Sequence, residues 1–283
     1  MRSLGLPPAV WIAFAVAGAC TSKVTDGGGD VVVSNVRALD LARACNDSFA
    51  SIYAKPQNLG AANRNRRGEV LKCAKDRTIP VSEIQASLDH RAFVGVTALN
   101  AVQVYRIQYR TERFSGKADV SSALVALPAG SRYAGAGADQ SAATTGAAVN
   151  NAAADSSAVQ VSDDGAVASG RGGGRRRTPL VVFGHGTVPY GNTCAYSRND
   201  PTADVIPGMD QGDRELGSVL AFATRGFPVI MPDYPGFVDG SQVTGYLLSE
   251  DEAHSLLDAT RAMQKLLRDP PDRVALVGHS QGG

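Results

Sequence analysis

An α/β fold around a largely parallel sheet is predicted for this 283-residue chain by three features. From residue 179 onward short apolar runs alternate with amphipathic ones, the pattern of strands and helices that follow one another. Two β-rich stretches precede that series. The last apolar run, Arg273-Val274-Ala275-Leu276-Val277, leads straight into Gly278-His279-Ser280-Gln281-Gly282-Gly283.

The chain opens with Arg2 and an apolar run from Ala9 to Ala19 that ends on the small residues Ala17, Gly18 and Ala19 before Cys20. A basic start, a short apolar centre and small residues at the end make residues 1–19 an export signal. The run is shorter than the roughly 18 to 20 apolar residues that cross a bilayer. Val16-Ala17-Gly18-Ala19-Cys20 is similar to a bacterial lipobox, with Ala17 where leucine is usual. Two outcomes stay open: an ordinary cleaved signal and a secreted protein, or a lipidated Cys20 that tethers a cell-envelope lipoprotein to a membrane surface.

Residues 20–100 form a linker and a helical appendage: Gly27, Gly28 and Gly29 give flexibility, helical periodicity runs from Val36 to Ala50, and no chemical motif follows. Cys45 and Cys73 can close a bridge there in an oxidising compartment. Cys194 has no evident mate, and is either a buried free thiol or bonded to a partner beyond this sequence.

The main α/β domain is expected over residues 101–283. It starts with a leading antiparallel pair, Val104 to Arg110 with its alternating pattern and Val120 to Leu127 closed by Pro128. Residues 131–177 then collapse to Ala, Gly, Ser and Asp with few core formers, a disordered surface insertion. Its terminal Arg175-Arg176-Arg177 reads as a solvated loop rather than a polyanion site. A net charge of +1 gives no basic field, which excludes nucleic acid as a partner.

Pro179 to Phe183 is a buried strand that ends in Gly184-His185-Gly186-Thr187. Asp213 to Arg225 places Leu216, Val219, Leu220 and Ala223 on one helical face, with Gly226 as its stop. The strand Pro228 to Met231 and the turn Asp233-Tyr234-Pro235-Gly236 follow. Ser249 and Glu252 then form a capping box, opening a helix that runs to Arg268, before Pro270 and Pro271. Its inward stripe is Ala253, Leu256, Leu257, Thr260, Met263 and Leu267. The strand from Arg273 should be central and covered on both faces.

Chemistry enters at Gly278-x-Ser280-x-Gly282. Directly after a buried strand, this is the nucleophile elbow of an α/β-hydrolase, where small neighbours let a sharp turn hold the serine in a strained conformation. The fold class is therefore an α/β-hydrolase fold, incomplete, holding the N-terminal half of the sheet up to the elbow. Acyl transfer also needs two donors for the tetrahedral oxyanion. They are the N–H of Gln281 and one from the turn after the strand, where Thr187 is the choice and Gly186 the alternative.

In this fold the acid and histidine follow the serine along the chain. Only three residues follow Ser280, and none of His90, His185, His254 and His279 is a convincing base. His185 reads as a structural member of its turn, and Asp233 as a turn former. The expectation is a chain cut short after the elbow, inactive by itself and poorly soluble because its last strand lacks a neighbour.

Residues from about Val104 to Gly283 resemble the bacterial and fungal secretory lipase family of α/β-hydrolases, the group related to yeast lipase A. The matching features are Tyr105 to Pro128, Gly184-His185-Gly186-Thr187, Arg225-Gly226-Phe227, Met231-Pro232-Asp233-Tyr234-Pro235-Gly236, Leu256-Leu257-Asp258-Ala259 with Arg261-Ala262, and the elbow itself. The resemblance implies a serine hydrolase of carboxylic esters, acylglycerols included, working through Ser280 on a small-molecule ester or lipid without metal or organic cofactor. Two other readings compete: a serine peptidase on the same fold, and a non-catalytic surface-anchored binding module.

Overall fold

The computed structural model describes residues 45–130, 178–189, 191–203, 213–240, 242–268 and 270–283. The expected signal (1–19), Cys20 and the insertion at 131–177 lie outside these residues.

Six strands form one mixed sheet in the order β1-β2-β3-β5-β4-β6. They are β1 (Val70–Ile79), β2 (Val102–Glu112), β3 (Ala118–Pro128), β4 (Leu180–Gly184), β5 (Val229–Pro232) and β6 (Val274–Gly278). The expected leading pair is present as β2 and β3, antiparallel from Val102 opposite Pro128 to Glu112 opposite Ala118. Antiparallel β5 joins β3, and β4 pairs parallel with both β5 and β6. The helices are α1 (Phe49–Ile52), α2 (Val81–His90), α3 (Asp213–Thr224) and α4 (Ser249–Leu266).

The period of two along each strand divides the core into two layers. Val104, Leu124, Val181, Phe183, Val229 and Met231 face α2 and α3. Their neighbours Tyr105, Ile107, Val125, Leu180, Val182 and Ile230 face α4. A sheet with both faces buried is the reason these strands read as near-continuous apolar runs.

The expected face of α3 is the observed one, with Leu216, Val219, Leu220 and Ala223 fully buried. In α4 the expected face is met in part, with Met263 and Leu267 buried and Leu256 packed against the core. Its buried residues are Asp251, Ser255, Asp258, Ala259, Ala262, Met263 and Leu266, whereas Leu257 is 45% exposed. Polar side chains turn inward because each meets a partner. Asp258 takes Arg67, Arg261 and the Thr111 hydroxyl, the last at 2.8 Å. Ser255 bonds the Tyr109 hydroxyl at 2.8 Å, and Asp251 accepts the Phe114 N–H at 2.6 Å. The expected capping box is absent as well: the N-cap is Leu248, without a side-chain cap bond, and Ser249 Oγ donates to Glu250 at 3.3 Å. The chain enters through Leu247 at φ 63°, which moves the cap one residue upstream of Ser249. Acidic Glu250, Asp251 and Glu252 still favour the positive end of the helix dipole.

The region expected as a helical appendage also supplies the ten-residue strand β1, paired antiparallel with β2 from Val70 opposite Tyr109 to Ile79 opposite Val102. The segment before it covers polar positions of β2. Gln108 Nε2 donates to the carbonyls of Ile52 at 2.7 Å and Ala54 at 3.0 Å, and Arg110 donates to those of Leu59 and Ala61. Arg106, 1% exposed, reaches the Asn199 carbonyl at 2.9 Å and Asp76 at 3.1 Å.

Cys45 and Cys73 form the expected disulfide, 28 residues apart in sequence, fastening the segment before α1 to β1. Closing a loop of that size in the unfolded chain corresponds to about 3.6 kcal/mol of stability on chain-entropy grounds. A Cys45→Ala, Cys73→Ala double variant should therefore lose about that much in a urea titration, with a steeper slope because the unlinked denatured chain is more expanded. Cys194 is 2% exposed and disulfide-bonded, which corrects the free-thiol reading, and its mate lies outside the described residues. β6 is the edge strand of the described sheet and leaves Val274 40% and Leu276 60% exposed, the apolar edge expected of a last strand without a neighbour.

Candidate active site

β4 and β6 run parallel and in register, with Gly184 opposite Gly278, so the turns that follow them emerge side by side. The His279 N–H donates to the Gly184 carbonyl at 3.1 Å and ties the second turn to the end of the first strand. Past it the chain reverses through a 3-10 turn, Ser280–Gly282, closed by Gly282 N–H to the His279 carbonyl at 2.9 Å.

Ser280 sits at φ 50°, in the left-handed region that non-glycine residues rarely enter. Such backbone strain persists only where the surroundings over-determine it. Here the surroundings are backbone. A β-carbon at Gly278 would overlap the Gly282 carbonyl, and one at Gly282 would overlap the Gly184 carbonyl. The strand, the turn and the neighbouring strand end are packed too closely for any side chain, and the serine hydroxyl is carried at the exposed apex.

The turn after β4 lies against this apex. A β-carbon built on Gly186 would stand 3.3 Å from Ser280 Cβ and 3.0 Å from His279 Nδ1. The structure thus brings together three of the four residues singled out from the sequence: Ser280, its neighbour Gln281, and Gly186. Thr187 follows Gly186 in the turn and is exposed. The Gly186 N–H is already committed, donating to Glu215 Oε1 of α3 at 2.7 Å.

Two acidic residues that the sequence did not single out join the site. Glu215 Oε1 also meets His279 Nδ1 at 2.8 Å. Glu252, in the first turn of α4, accepts the Gln281 side-chain amide at 2.7 Å, and burial raises its carboxyl above the ordinary glutamate range. Neither has a local sequence signature. Each comes from a helix end that the sheet brings to the same edge.

His185 is fully buried, its ring 4.7 Å from that of Tyr196 and 4.4 Å from that of Tyr234, with Nδ1 2.6 Å from the Gly186 carbonyl. Burial penalises its charged form and lowers its pKa to about 4, so it is a neutral wall of the turn at neutral pH. His254 lies with Nδ1 2.9 Å from the Glu112 carbonyl.

Asp233 does more than turn the chain. Fully buried, its carboxylate accepts the Ser197 N–H at 2.8 Å, the Ser122 hydroxyl at 2.6 Å and the Ser197 hydroxyl. Burial outweighs these donors and raises its pKa to about 6. Between roughly pH 4 and 6 the folded chain therefore holds a proton on Asp233 that the unfolded chain has released, so this group's contribution falls as pH rises. His185 acts with the opposite sign, since the unfolded chain takes up a proton below about 6.5 that the folded chain refuses until about 4. Asp233→Asn removes only the first effect. Its stability relative to wild type should accordingly rise with pH between 4 and 6, by up to about 1.4 kcal/mol per pH unit, in urea melts run at each pH.

No family model matches the sequence, and no curated protein matches it. Among solved structures it is similar to the rice cell wall degrading esterase LipA from Xanthomonas oryzae, at 22% identity and a TM-score of 0.47 over 76% of this chain and 43% of that one. It is also similar to Candida antarctica lipase A in its closed state, at 19% identity and a TM-score of 0.41 over 87% of this chain and 41% of that one. The chain spans less than half the length of each. Its own strand order and its helices on both faces of the sheet make the fold a mixed α/β one, with the glycine-framed turn at Ser280 directly after its last strand.

Proposed function

We propose that this chain carries the nucleophile and oxyanion turn of a serine hydrolase acting on carboxylic esters, with acyl esters such as acylglycerols as the substrate class. The observation that carries the reading is Ser280 at φ 50° on a turn framed by Gly278 and Gly282, so close to Gly186 that a β-carbon added there would stand 3.3 Å from Ser280 Cβ. A serine presented in this way can attack a carbonyl carbon while backbone amides receive the charge on its oxygen. In this reading those amides are the N–H groups of Gln281 and Thr187, because the Gly186 N–H is bonded to Glu215.

The reaction also needs a base to take the serine proton and an acid to orient that base. His185 is buried and neutral, and His279 is held by Glu215. We assign both partners to residues outside the described ones. The buried disulfides support an exported protein, since such bonds persist in oxidising compartments. Of the two expected outcomes we keep the secreted protein, because a lipidated Cys20 could not also take part in a disulfide, and Cys194 is disulfide-bonded with Cys20 the one cysteine left to pair it.

The test is labelling of the full-length protein with an alkyl fluorophosphonate, followed by peptide mapping and by paired assays on acyl esters and aminoacyl amides. Label on Ser280 with ester turnover at least tenfold above amide turnover supports the proposal. Label elsewhere, or amide turnover in excess, overturns it.

A further inference from the structure

The turn after β4 and the elbow after β6 belong to different strands, and one side chain touches both. Glu215, from the first turns of α3, is 7% exposed. Its Oε1 accepts the Gly186 N–H at 2.7 Å and meets His279 Nδ1 at 2.8 Å. Its second oxygen, Oε2, is buried with no hydrogen-bond partner. A carboxyl group buried with one oxygen unsatisfied costs stability. Retaining it needs a reason beyond packing.

We propose that Glu215 is a positioning residue for the oxyanion site. This inference rests on the serine-hydrolase reading above. By holding Gly186 and His279 on a single oxygen, Glu215 fixes how far the turn stands from the nucleophile. By taking the Gly186 N–H it also selects the following amide, that of Thr187, as the turn's donor to the oxyanion. The packing leaves little slack: a β-carbon at Gly186 would stand 2.8 Å from Glu215 Oε1 and 3.3 Å from Ser280 Cβ. Donors that stabilise a tetrahedral intermediate must lie within a few tenths of an ångström of the oxygen's final position, and losing one costs roughly a hundredfold to a thousandfold in turnover. A residue that sets this geometry acts on the transition state and hardly at all on ground-state binding.

The experiment uses the full-length protein with p-nitrophenyl butyrate as substrate and an alkyl trifluoromethyl ketone, whose serine adduct bears an oxyanion, as inhibitor. Glu215→Ala should lower kcat about a hundredfold and weaken the ketone by a similar factor, with KM changed less than threefold. Glu215→Gln keeps an acceptor for the Gly186 N–H and should recover kcat to within about tenfold of wild type. A Glu215→Ala protein with wild-type kcat, or one that loses kcat while its ketone affinity is unchanged, overturns the proposal.

Should Glu215→Ala fail to fold, amide hydrogen exchange on the wild-type protein decides. Strong protection of the Gly186 N–H beside a fast-exchanging Thr187 supports the assignment, and equal exchange at the two overturns it. Ser280→Ala is run alongside. Wild-type turnover no higher than in that variant defeats the serine-hydrolase reading, while the exchange measurement still judges the Glu215 contact.

Discussion

Ser280→Ala in the full-length protein is expected to lower turnover of acyl esters by at least about 10⁴-fold, with its melting temperature close to wild type. Without the hydroxyl there is no acyl-enzyme to form, and what remains is the acceleration from binding and from the oxyanion donors alone. Stability should change little, because Ser280 is exposed and alanine meets the same backbone cost at φ 50° as serine does. Initial rates on short and long acyl esters at matched protein concentrations check the first part, and a thermal melt checks the second. A variant that retains a tenth of the wild-type rate would remove Ser280 from the mechanism.

A second large effect, on stability and turnover together, is expected two residues further on. Gly282→Ala drives a methyl group into the Gly184 carbonyl, and Gly278→Ala drives one into the carbonyl of Gly282. In both cases the obstacle is main chain, which cannot rotate aside as a side chain would. Either the last turn moves off β4 or β6 shifts along it. We expect a loss of about 3 kcal/mol for either variant in urea titration, at the upper end of what overpacking costs. Turnover should fall as well, since Ser280 moves with the turn. Gly60→Ala is the control: its φ of 67° also disfavours a side chain, yet nothing lies within 4 Å of the added carbon. The cost there should be about 1 kcal/mol, the conformational part alone.

The parts of the fold that could be read in advance are those whose burial is apolar. β2, β3, β4, β5 and α3 present unbroken or regularly spaced apolar residues, and all were legible within one or two positions. β1 was not. Lys72, Lys75, Asp76 and Arg77 interrupt its pattern, because much of that strand faces solvent and its pairing is decided by β2. The inward face of α4 was partly misplaced for a related reason. Hydrophobicity points to Leu257, whereas the sheet takes Asp258, whose charge is met by Arg67 from elsewhere in the chain and by Arg261 one turn along the same helix. At the candidate site the glycine spacing revealed the elbow and its neighbouring turn. Glu215 and Glu252 stayed hidden, since a glutamate near a helix start looks the same whether it bonds solvent or a backbone amide across the sheet.

The mixed sheet also sets the order in which its halves can assemble. Between β2 and β3 the pairing grows outward from a tight turn, with Glu112 opposite Ala118 and every later pair a small step further along the chain. Between β3 and β5 the first contact already joins Ala123 to Pro232, and β4 meets β6 only when Leu180 finds Val274. Loop closure must be met before those distant pairs return any free energy, so they form slowly. The hairpin is thus the natural seed and the nucleophile turn, resting on the β4–β6 pair, among the last features to become native. A folding chain would acquire its scaffold early and its reactive serine geometry at the end.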